Sequence, residues 1–303
     1  MLDVFLGVIL PTFLVALAGA GLQRWRKISP GPLNQLMLYL LAPALVIDAL
    51  VSADMDLGAS VRLIAAVLLI TTGILVLSVV LAKLLRQERS LQSGFLLAVG
   101  FPNAANLALP VTLLAFGEPG LTVGIVLFAV HSLLGWSVGV YVAASSSGTG
   151  LRPLMMTLRM PILWAILAAL LVRASGITLP QTIAYPIEML GAASIPVMLV
   201  ILGFQLSQGI AIEKWLSLTV ALLLRLVGGA VIAYPVTVLL GIEGVAQQTV
   251  IIVSAMPTAV FTTFLATEFR AEPRFVTSVV VIGTLLSLLT LTALITALQH
   301  WMG

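Results

Sequence analysis

Apolar residues in this chain come in blocks of about twenty, the length a helix needs to cross the hydrocarbon of a bilayer at 1.5 Å per residue. Ten such blocks follow one another, at 4–22, 34–52, 61–82, 91–116, 120–143, 155–174, 182–207, 215–240, 246–267 and 275–298. The connections between them are short and leave no room for a soluble domain. The blocks are continuous rather than alternating, which disfavours a transmembrane β-barrel. The pattern predicts an all-α polytopic membrane protein with ten transmembrane helices.

Charged residues gather in the connections, and they do so asymmetrically. Arg24, Arg26 and Lys27, then Lys83, Arg86 and Arg89, Arg152 and Arg159, Lys214, and Arg270 with Arg274 all fall in one alternate set, which holds eleven of the fourteen basic residues. The other set has Arg62 and Arg173 together with Asp54, Asp56, Glu118 and Glu243. Cytoplasmic connections carry the excess of Lys and Arg. The expected location is therefore the plasma (inner) membrane, with both termini on the outer side. Met1-Leu2-Asp3 supplies no basic n-region and no small-residue cleavage site follows, so a cleaved signal peptide is not expected.

Composition narrows the chemistry. Of 303 residues, 61% are hydrophobic and only 8% charged, with a mean hydropathy of +1.21. A soluble domain carries about a quarter charged residues, so too little polar surface exists to cover a water-soluble globule. With no cysteine and two histidines, disulfides, thiolate chemistry and cysteine metal sites are excluded, and a metal cluster has almost nothing to be built from. No cofactor and no nucleic-acid partner is expected. The net charge of +3 is accounted for by the cytoplasmic connections, and the lipid bilayer is the obvious partner. Gly135-Trp-Ser-Val-Gly139 matches a hydrolase pattern, but that motif needs a strand-turn-helix elbow and here falls inside a predicted helix. Its glycines read as helix-packing residues, and an enzyme is not expected.

The two halves of the chain resemble each other. Pro102 and Pro257 lie 155 apart, Glu118-Pro119 and Glu272-Pro273 lie 154 apart, and Pro43 and Pro196 lie 153 apart. Pro11 and Pro161 stand near the starts of the first and sixth spans. Five spans per half is an odd number, so the repeats, 1–143 and 155–303 joined by a linker at 144–154, are expected to be inverted. Inverted repeats with broken helices in matching positions are a mark of secondary transporters, and the breaks point to the binding site.

The fourth span contains Phe101-Pro-Asn-Ala-Ala-Asn-Leu-Ala-Leu-Pro110. Pro102 and Pro110 each remove an N–H, and Asn103 and Asn106 prefer caps and turns to helix interiors. The ninth span offers Pro257 with Ser254, Thr258, Thr262 and Thr263. Two broken helices crossing at mid-membrane would bring half-helix N-termini together, an anion site that needs no buried cation. Asn103, Asn106, Thr258 and Thr262 are the expected substrate-binding residues.

These two stretches are similar to the signatures of the auxin efflux carrier family, a resemblance that covers essentially the whole chain. Phe101-Pro-Asn followed by small residues resembles the family's fourth-span signature, and Ala255-Met-Pro-Thr-Ala-Val, Thr267-Glu-Phe, Glu272-Pro273 and Thr284-Leu-Leu-Ser-Leu-Leu-Thr-Leu look like its later ones. The resemblance implies the crossover architecture shared with bile-acid symporters and sodium/proton antiporters. Spans 1, 2, 6 and 7 would form a scaffold, and spans 3–5 and 8–10 a moving transport domain. It further implies Pro102, Asn103 and Pro257 as crossover and substrate residues and auxin-like or malate-like carboxylates as cargo; a homodimer through the scaffold is a partner state that the sequence leaves open. The plant members' long central cytoplasmic loop is replaced here by the short Ser145–Gly150 stretch. Asn106 lies outside the plant signature, so its role is inferred from its position alone.

Two further residues stand out. Arg225 lies about eleven residues into the eighth span, where a charge is costly and suggests function. Compensation of substrate charge, pairing with an acid to brace the transport domain, and snorkelling to the interface all remain open for it. His131 lies mid-way along the fifth span, either bonding across helices or coupling transport to protons. The expected function is secondary transport of small organic anions. A cation antiporter or sodium-coupled symporter of the same architecture is the alternative, although no carboxylate occurs within 101–110 or 255–264. A channel or receptor without turnover is a third possibility.

Overall fold

A computed structural model describes residues 1–52, 57–145 and 158–301. Asp54, Asp56, Arg152, the start of the predicted sixth span and most of the 144–154 linker lie outside the described residues. What is described is helical, with no strand among the described residues apart from one isolated bridge. The helices are α1 (Leu2–Arg26), α2 (Pro30–Ser52), α3 (Leu57–Leu84), α4 (Arg89–Gly100) and α5 (Ala108–Ala144). After them come α6 (Pro161–Ser175), α7 (Gln181–Leu206), α8 (Trp215–Leu239), α9 (Gly244–Ser254), α10 (Phe261–Glu268) and α11 (Pro273–Trp301). Seven of them (α1, α2, α3, α5, α7, α8 and α11) are long and apolar enough to cross a membrane, whereas α6 and α9 are shorter apolar helices. Large apolar side chains such as Leu171, Leu239 and Leu289 point outward, as a lipid-facing surface requires.

Local sequence explains the ends and bends. Ser29 caps α2 by accepting a hydrogen bond from Gly31 N–H, and prolines 30 and 161 occupy first-turn positions where a missing N–H costs nothing. Pro11 and Pro43 each remove a helical hydrogen bond, and a π-helical turn absorbs each loss, at Phe5–Ile9 and Met37–Leu41. Helix α5 bends at Gly117, whose φ of 66° and ψ of −158° separate the predicted fourth span from the fifth. Left-handed residues recur at the repeat spacing: Arg86 and Gly241 are 155 apart, and so are Gly117 and Glu272.

The helices pack as two groups. Helices α1, α2, α6 and α7 pack on one another. Gly19 admits the Val200 carbonyl, where a Cβ would come within 2.6 Å of the oxygen, and Gly203 admits that of Ala16. Helices α3–α5 and α8–α11 form the second group. One hydrophobic core joins both groups, through residues such as Ile9, Leu45 and Met198 on one side and Leu109, Ile125 and Ile295 on the other. A second core, with Phe95, Phe101, Val140, Leu265 and Phe275, draws on the second group alone. Its residues lie toward the ends bearing Arg86, Arg89, Lys214, Arg270 and Arg274.

Candidate functional site

Both expected breaks are present. Helix α4 stops at Gly100, Phe101 is extended, and α5 resumes at Ala108. Helix α9 stops at Ser254, and α10 starts at Phe261. The two extended pieces pair with each other: Asn103 N–H donates to the Pro257 carbonyl at 2.7 Å and Ala259 N–H to that of Phe101 at 2.9 Å. They form an antiparallel bridge between Pro102 and Thr258. Non-helical backbone is tolerated at membrane depth only when such partners exist. Pro110 is not part of the break; it occupies the first turn of α5, where it starts a helix instead of interrupting one.

The expected site residues divide in two. Asn103 is 3% exposed, and its Oδ1 accepts from Asn106 N–H at 3.0 Å, a turn-forming bond that aims the rest of the amide. Its Nδ2 has no protein partner. Asn103, Asn106 and His131 all line one cavity of about 420 Å³. Thr258 and Thr262 are fully buried away from it: their hydroxyls donate to the carbonyls of Ala98 at 2.6 Å and Ala259 at 2.5 Å. These threonines hold the broken chain and do not line the cavity. His131 Nδ1 lies 2.8 Å from the Leu127 carbonyl, which can only accept, so that nitrogen carries the hydrogen.

Arg225 is buried, and it is not among the residues lining the cavity. Its guanidinium donates to the Val99 carbonyl at 2.6 Å and to the Ser254 carbonyl. These are carbonyls at the C-terminal ends of α4 and α9, which have no helical partner of their own. A single cation thus caps the negative ends of both interrupted helices. The acid partner considered from the sequence is replaced by these two carbonyls. Gly229, one turn further along α8, allows this approach, since a Cβ there would overlap the Ser254 carbonyl oxygen.

Aromatic rings complete the wall. Phe261 meets Phe101 edge-on with centroids 5.9 Å apart and Trp136 at 5.8 Å. The glycines of Gly135-Trp-Ser-Val-Gly139 seat these rings: a Cβ on Gly135 would stand 2.5 Å from Phe261 Cζ, and one on Gly139 would stand 3.2 Å from Phe101 Cζ. The segment is a π-helical turn within a helix, incompatible with a nucleophile elbow. Among the described residues no Asp, Glu, Lys or Arg lines the cavity, and His131 is its one titratable lining residue. Gln205, at the end of α7, also lines it and had no distinguishing signal in the sequence, where it reads as a polar residue closing an apolar run.

The family described as "Membrane transport protein" matches residues 4–156 and 152–295, nearly the full chain. The chain belongs to this family. Its similar relatives include an uncharacterized transporter of Methanothermobacter thermautotrophicus, 28% identical over 264 residues and 86% of each chain. Another, from Methanocaldococcus jannaschii, is 27% identical over 271 residues, again 86% of each chain. The family and these relatives are membrane transporters and not enzymes, in keeping with a multi-pass helical chain.

Proposed function

We propose that this family member is a secondary carrier of small organic anions that works by alternating access. The observation carrying this reading is the Asn103 amide: 3% exposed, its Nδ2 without a partner, at the wall of a cavity of about 420 Å³. A buried donor of this kind is costly unless something accepts from it. Residues just before α5 (Ala105, Asn106) and at the start of α10 (Val260, Phe261) line the same cavity, where helix N–H groups and partial positive charge favour a carboxylate. Asn103 and Asn106 bind it, while Pro102, Pro257, Thr258 and Thr262 shape the crossover.

In this reading the chain has ten transmembrane helices in two inverted repeats. The group α1, α2, α6 and α7 is the scaffold, and α3–α5 with α8–α11 is the moving domain. The recurrence of left-handed residues 155 apart supports the repeat. The cavity reaches Gly31 and Gln205, near the basic connections at Lys27 and Lys214, so the conformation described is open toward the side expected to be cytoplasmic. Both termini then lie outside the plasma membrane.

The test is a thermal-shift screen of purified protein against small carboxylates, with Asn103→Ala alongside. A ligand at a hundred times its Kd stabilises the fold by about 2.7 kcal/mol. The expected result is an acid that raises the melting temperature of the wild type and not of the variant. Stabilisation that survives the substitution would place the anion elsewhere.

A further inference from the structure

Asn103 is not the only unsatisfied amide in the cavity wall. Gln205 is 5% exposed, and neither its Oε1 nor its Nε2 has a protein partner. It comes from α7, in the helix group opposite the one that carries both breaks. Its neighbourhood is tightly fixed: Gly203, two residues back, is pressed against the Ala16 carbonyl, and Leu202 is fully buried. A buried amide with both ends unpaired is costly when nothing completes it.

We infer that Gln205 is the second anchor of the transported substrate, and that the substrate is a monocarboxylate carrying an uncharged hydrogen-bonding group away from its carboxylate. The inference rests on the proposed anion site at Asn103. A primary amide offers an acceptor and two donors, which suits a hydroxyl, carbonyl or amide. A second carboxylate would call for a cation, and among the described residues no Lys or Arg lines the cavity. Arg225 is held by the carbonyls of Val99 and Ser254. Phe101, Trp136, Phe261, Met198 and Ile201 line the same cavity and accept an apolar body between the two polar ends. Because Asn103 and Gln205 belong to different helix groups, a ligand reaching both ties the groups together in this conformation. Displacement of one group past the other withdraws Gln205 and weakens the hold.

Binding to purified full-length protein of two acid pairs, 4-hydroxyphenylacetate with phenylacetate and 4-hydroxybutyrate with butyrate, tests this. Wild type should prefer the hydroxylated member of at least one pair by about tenfold, the worth of one added hydrogen bond. Gln205→Met should bind that pair's two members alike, at the affinity wild type shows for the plain acid, while Asn103→Ala loses both. Gln205→Asn, too short to reach, serves as a second variant if the methionine form does not fold. A wild type indifferent to the hydroxyl in both pairs, or a Gln205 variant that keeps the preference, overturns the role of Gln205 while leaving the anion site standing. Binding of plain acids undiminished in Asn103→Ala, or no acid binding at all, overturns the anion site itself and this inference with it.

Discussion

Arg225 is the most informative residue to perturb, because its place in the structure makes a bracing role and a substrate-binding role separable. Arg225→Met keeps a long apolar stem and removes both donors. Each buried carbonyl left without a donor costs roughly 1–3 kcal/mol, here those of Val99 and Ser254. Loss of the cation from two helix C-termini adds about 0.3–1 kcal/mol at each. Against this stands the penalty of holding an arginine at membrane depth, about 2.5–3.5 kcal/mol, which the variant no longer incurs. The balance is a destabilisation of about 2 kcal/mol, or roughly 4 °C in melting temperature for a chain of this size. Arg225→Lys retains the charge but reaches only one carbonyl, and should fall between. Melting curves with and without a stabilising carboxylate are the assay. A methionine variant that melts with wild type would refute bracing, whatever its response to the carboxylate.

Three further outcomes follow from the packing. Gly229→Ala places a Cβ against the Ser254 carbonyl, and overpacking of this kind costs about 1–3 kcal/mol, so its melting temperature should drop although only one methyl is added. His131→Gln removes the one titratable side chain that lines the cavity among the described residues, so transport measured between about pH 5 and 8 should flatten if that histidine carries the coupled proton; an unchanged profile removes it from the mechanism. Lys214→Ala breaks the 2.7 Å pair with Glu272, which is partly exposed, and should change stability by less than about 1 kcal/mol.

The sequence pattern showed much of this fold because membrane helices are written in long apolar runs: seven of the described helices are long and apolar enough to cross a membrane, and α6 and α9 are shorter apolar helices. The breaks were legible for a similar reason: Pro102 and Pro257 cannot complete a helical ladder, and their spacing repeats. What the pattern could not show was direction. Thr258 and Thr262 look like ligands in a list of polar residues near a break, yet each hydroxyl is consumed by a nearby carbonyl. Pro110 looks like a second break, yet a proline is harmless in a helix's first turn, and only the observed start at Ala108 shows that it sits there. Gln205 was invisible because its importance lies in what fails to meet it, a property of packing and not of residue type.

The electrostatics of the crossover follow from the same geometry. Four helix ends meet at the breaks: the C-termini of α4 and α9, and the N-termini of α5 and α10. Left alone, the opposed partial charges would largely cancel at a point between them. Arg225 lies against the two C-termini and neutralises them, which leaves the two N-termini as the uncompensated ends. On the proposed function, a cavity with no charged side chain among the described residues would still favour an anion, with the cation responsible standing behind the wall instead of in it. Such an arrangement would suit the proposed carrier: an arginine in direct contact would hold an anion tightly, whereas helix ends and side-chain amides would bind it weakly enough to let it go. Neutralising Arg225 should therefore weaken anion binding even though that residue never touches the anion, whereas Arg225→Lys should largely preserve it.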